Sequence, residues 1–126
     1  MNVISTTKIV AAGVLGVFTL ISGVIVTGAG RPLNSLYFNV HKIIAVVMIV
    51  LLAAVTVQLI KAGYALSMLQ VLVIAAAAAL FLALVATGGM LSFERSWPAV
   101  VLRIHQIASL LSLGFSAAGI YLLAAA

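Results

Sequence analysis

Four long apolar stretches decide what this 126-residue chain can fold into. Residues 9–28 and 66–91 carry no charge, and residues 36–60 and 99–123 carry one cation each, Lys42 and Arg103, close to their starts. Twenty helical residues at about 1.5 Å each cover the roughly 30 Å hydrocarbon core of a bilayer. Inside that core the backbone must satisfy its own hydrogen bonds, and a helix is the simplest way to do so. Composition agrees: 67% of the residues are hydrophobic, 6% are charged, and the mean hydropathy is +1.45. A small soluble globule needs far more polar surface than this. The expected fold class is therefore all-α, an integral membrane four-helix bundle running up-down-up-down, with residues 1–126 as one four-span domain in a lipid bilayer.

The connections support that division. Gly28 to Ser35 contains Gly30, Arg31 and Pro32, and Lys61-Ala62-Gly63 gives a tight turn. Ser92 to Pro98 leads into the last span, with Ser96 as the expected N-cap and Pro98 in the first helical turn. Lys8 ahead of an apolar run has the look of a signal peptide, but the run exceeds a usual h-region and lacks a clear small-residue cleavage site. It is read as the first span. With no cysteine, disulfides, iron–sulfur clusters and thiolate zinc sites are excluded.

The formal charge is +5, yet the six Lys and Arg residues are scattered singly at positions 8, 31, 42, 61, 95 and 103. Nucleic acid demands clustered cations on one face, so it is not an expected partner. Single cations at span ends suit lipid headgroups and topology. Their distribution places the first and third loops in the cytoplasm, and the expected location is a prokaryotic cell (inner) membrane.

Only two histidines occur, and they occur in matched settings: Asn39-Val40-His41-Lys42-Ile43 and Arg103-Ile104-His105-Gln106-Ile107. Gly23 precedes His41 by 18 residues and Gly88 precedes His105 by 17. Each half thus has a span ending in glycines, a short basic loop, and a span that opens on a His-containing block. This is the pattern of a duplicated helical hairpin. In an alternating bundle the second and fourth spans run the same way, so both imidazoles lie at similar depth near one membrane face.

Seams of small residues predict which faces pack. They are Gly13, Gly16, Leu20, Gly23 and Thr27 in the first span, and Ala76, Ala79, Ala83, Ala86 and Met90 in the third. His41, Ala45, Met48, Leu52 and Val55 line the second; His105, Ser109, Ser112, Ser116 and Gly119 line the fourth. Each stripe alone is an ordinary packing seam, and each histidine alone is an ordinary interfacial residue. Together they place two imidazoles on inward faces. Bundles build cofactor sites from such side chains, and two neutral imidazoles form an axial pair for low-spin haem. The expected site is one haem b per chain with His41 and His105 as iron ligands. Gly23 and Ala86 leave room for the macrocycle edge, and Lys42, Arg103, Arg31 and Arg95 are candidate propionate partners. Each of these cations also fits plain snorkelling to headgroups.

On His41, His105, Lys42, Arg103, Gly23 and Gly88, the chain resembles the small membrane-anchored b-type cytochromes, the haem-carrying four-helix subunits of respiratory dehydrogenases, reductases and hydrogenases. The resemblance implies an electron-transfer module rather than a stand-alone enzyme, exchanging electrons with a quinone or a protein redox partner, alone or as a homo- or hetero-oligomer. Such proteins often use four histidines for two haems; this chain has ligands for one, near one face. Three other readings stay open: a cofactor-free structural or accessory subunit, a small transporter, and a pigment-binding protein with a single His on magnesium.

Overall fold

The computed structural model describes residues 4–93 and 96–125. Four helices follow in order, α1 (Thr6–Gly28), α2 (Ser35–Lys61), α3 (Met68–Ser92) and α4 (Ala99–Ala124), and no strand occurs among the described residues. Their limits lie within three residues of those read from hydropathy. With 23 to 27 residues each, the helices are about 35–40 Å long. All four are long and apolar enough to cross a membrane, so the chain is an all-α integral membrane protein.

The helix ends follow local chemistry. Ser5 caps α1 by accepting from the Lys8 amide, and Asn34 caps α2 by accepting from Tyr37 at 3.1 Å. Ser67 and Gln70 form a reciprocal capping box at α3, with bonds of 3.2 and 2.8 Å. The last helix departs from the expectation: Pro98 itself holds the N-cap position and no side chain caps α4. Helix α2 ends in a Schellman motif. The Gly63 amide donates to Ile60 O and the Tyr64 amide to Leu59 O, with Gly63 at φ 69°. Only glycine adopts that angle without strain, which explains the tight turn.

The chain divides into two compact units, Met1–Ala65 and Leu66–Ala126, each one helical hairpin. In the first, Gly23 meets His41, Thr19 meets Met48 and Lys8 meets Gln58, an antiparallel register from loop to open end. In the second, Gly88 meets His105, Val73 meets Gly119 and Gln70 meets Leu122, again antiparallel.

The α2 seam runs as expected through His41, Ala45, Met48, Leu52 and Val55, all at least partly buried. The α4 seam is Val101, His105, Ala108, Ser112, Gly119 and Leu123, with Ser112 only 2% exposed. In α1 the expected stripe is buried at Gly16 and half-buried at Leu20 and Gly23, while its two ends, Gly13 and Thr27, are exposed. Ala12 and Gly16 are buried, whereas Gly13 is exposed and a Cβ there would meet nothing within 4 Å. In α3, Gln70 and Thr87 are buried, while Ala79 and Ala86 are exposed. Much of the remaining surface is apolar, with Val24 and Leu82 each 72% exposed. Such a surface suits lipid, where side chains need no polar cover.

Candidate functional site

His41 and His105 are each the seventh residue of their helix, counted from Ser35 in α2 and Ala99 in α4. Six steps of about 1.5 Å set each imidazole about 9 Å below its helix start. Side chains lean back toward the helix N-terminus, so both rings reach toward the connection of their own hairpin. There each meets the last turns of the preceding helix.

In the first hairpin, Ser22 Oγ lies 2.8 Å from His41 Nδ1, and Thr19 O lies 3.1 Å from the same nitrogen. The Ser22 hydroxyl donates its proton to Thr19 O at 3.0 Å. In the second hairpin, Thr87 Oγ1 lies 2.8 Å from His105 Nδ1, and the Thr87 hydroxyl donates to Ala83 O at 2.8 Å. The following residue in each helix is a glycine. A Cβ on Gly23 would stand 3.1 Å from His41 Cε1, and one on Gly88 would stand 3.2 Å from His105 Cε1. The Cε1 corner of each ring therefore approaches the neighbouring helix so closely that any side chain at the glycine would crowd it. A hydroxyl-bearing residue followed by glycine, keyed by a histidine, recurs in both hairpins.

The expected site residues fall into three groups. His41 with Gly23, and His105 with Gly88, are brought into contact. Ala86 is exposed, and its neighbours Thr87 and Gly88 are the residues that reach His105. Lys42, Arg103 and Arg31 are exposed near the two connections, and Arg95 lies outside the described residues. Ser22 and Thr87 escaped the sequence reading. Their signal was present: superposing the two halves on their histidines sets Ser22-Gly23 against Thr87-Gly88 with an offset of one residue.

The donor set constrains what metal could be held. Among the described residues no group of three or more His, Cys, Asp or Glu could hold a metal ion. The four nitrogens of a macrocycle would supply the remaining ligands of a metal held by these imidazoles. Two imidazoles are a donor set that a haem iron accepts as axial ligands. Comparison of the chain with protein-family models, with curated proteins and with solved structures gives no match.

Proposed function

We propose that the chain is a membrane b-type cytochrome in which His41 and His105 are the two axial ligands of one haem b. The observation that carries this reading is the duplicated key. Each hairpin holds its only imidazole by Nδ1, and at the same helical position. Each hairpin then supplies half of the iron's axial set.

Haem held by two imidazoles cycles between ferrous and ferric states and passes single electrons. The chain's own contribution is to orient the ligands, surround them with apolar helix, and keep the propionate edge near water. Lys42, Arg103 and Arg31, all exposed near the α1–α2 and α3–α4 connections, are suited to pair with the propionates, and Arg95 belongs to the same stretch of sequence. A quinone or a protein partner on that face would exchange the electron. The test is stoichiometry. Detergent-purified chain expressed with added haem precursor should carry one haem per chain; two would refute the single paired site.

A second reading rests on the same contacts. Each Nδ1 is satisfied inside its own hairpin, which suits a cofactor-free accessory subunit whose histidines only fasten helix to helix. On that reading the purified chain is colourless and His41→Ala loosens the hairpin without any change in visible absorption. A transport reading draws less support, because the hydroxyls of Thr56 and Ser112 donate to carbonyls of their own helices.

A further inference from the structure

We infer that Asn39 with Lys42, and Arg103 with Gln106, are two clamps for the phosphate of a membrane lipid, one on each hairpin. Counted from Ser35 in α2 and from Ala99 in α4, Asn39 and Arg103 are fifth residues, and Lys42 and Gln106 are eighth. Each helix thus sets one carboxamide and one cation three residues apart, in opposite order. Residues at i and i+3 are neighbours on a helix surface, so the two side chains of each pair can close on one group. At about 3.6 residues per turn the histidine, seventh in each helix, stands roughly 100° or more round the axis from both members. The pair therefore opens on a different side of the helix from the ring.

These groups need an outside partner. Asn39, Lys42 and Arg103 are exposed and Gln106 is half-buried. Among the described residues none of the four side chains has a hydrogen-bond or ion-pair partner. No acid stands in the first turn of either helix, and residues 1–65 contain no Asp or Glu, so the first hairpin cannot neutralise Lys42. With 27 and 26 residues, α2 and α4 outrun a roughly 30 Å hydrocarbon core by about 10 Å, which puts its boundary about 5 Å inside each end of a centred helix. The fifth and eighth residues stand about 6 and 10 Å in, and their side chains lean back toward that boundary. Lipid phosphates lie there. A carboxamide left unpaired in hydrocarbon is costly, whereas phosphate oxygens accept both from its N–H and from the cation beside it. On the haem reading a propionate is a second oxyanion at this depth, but a pair that opens away from the ring favours the lipid, and the lipid assignment does not rest on haem.

Lipid counting tests this. Full-length haem-free chain in detergent, titrated with a short-chain phosphatidylglycerol and read by native mass spectrometry, should retain two lipids, one per clamp, and should bind phosphatidylcholine more weakly. Asn39→Leu and Gln106→Leu keep both cations and should each weaken one site about tenfold, the worth of one hydrogen bond to a charged group. Lys42→Leu and Arg103→Leu should each remove one lipid. Lys42→Arg and Asn39→Gln keep the charge and the donor, and should preserve the count. Cations that only snorkel would leave affinity unmoved in the two amide variants; that result, or equal binding of phosphatidylcholine, would overturn the inference. Adding haem separates the two oxyanions. A count that stays at two supports phosphate, whereas lipid displaced on haem loading assigns the clamps to propionates and overturns the lipid assignment. If the chain takes up no haem while the lipid counts behave as stated, the haem reading fails and the clamps stand.

Discussion

The two hairpins solve one problem with different residues. At the loop end both seat an imidazole on a glycine and tie its Nδ1 to a hydroxyl, but the hydroxyl is Ser22 in one and Thr87 in the other. Six residues join the helices in each hairpin, and the one-residue difference in hydroxyl-to-histidine spacing is taken up in α1, which runs one residue further past its hydroxyl than α3 does. Geometry is thus kept while sequence drifts. At the open end the hairpins diverge. The first is closed by Lys8 Nζ donating to Gln58 Oε1 across an exposed surface. The second is closed by buried Gln70, whose amide donates to Leu122 O at 3.2 Å and so satisfies a carbonyl in the last turn of α4. What is shared by both halves sits where the histidines are; what differs sits at the far end, where only packing is served.

Breaking the shared key should have the largest effect. His41→Ala and His105→Ala should each abolish stable haem binding, read as loss of haem from the purified variant. Full retention in either would show that the hairpins are not equivalent half-sites. Filling the glycines comes next. Gly23→Ala and Gly88→Ala place a methyl 3.1 and 3.2 Å from a ring carbon, and overpacking of this kind costs about 1–3 kcal/mol. The two losses should be alike in detergent unfolding titrations, and a much larger cost in one hairpin would break the symmetry.

The open ends should then separate the halves. Gln70→Ala removes a buried capping partner and a cross-helix donor, for an expected loss of about 1–2 kcal/mol. Gln58→Ala touches an exposed contact and should change stability by less than about 0.5 kcal/mol. Equal effects would contradict the contrast between the two open ends. The smallest expected effect is at Gly13, where an added Cβ meets open space. Gly13→Ala should be neutral or gain up to about 0.5–1 kcal/mol from helix propensity.

Much of this was legible in the sequence, for definite reasons. Span limits follow from the length an apolar helix needs, so they came within a few residues. The α2 and α4 seams were readable because a histidine or a serine marks the inward face of each. The α1 seam is legible through Gly16, Leu20 and Gly23 but fails at its end, where Gly13 faces outward, because residue type alone does not distinguish a packed glycine from an exposed one. Ala86 matches the site in depth and small size, yet the helix turns it outward and sets Thr87 and Gly88 against the imidazole. Nothing within either half singles out these two hydroxyls, because a lone Ser or Thr in a membrane helix ordinarily bonds its own backbone. Ser22 and Thr87 do so as well, and it is that bond which turns their oxygens into acceptors for the imidazoles.

The measurement that tests the central claim most directly is a reduced-minus-oxidised absorption spectrum of the full chain, purified in detergent after expression with added haem precursor. Paired ligation by His41 and His105 predicts the sharp bands of a six-coordinate, low-spin b-type haem. A flat spectrum, or the broad bands of a five-coordinate haem, would contradict it.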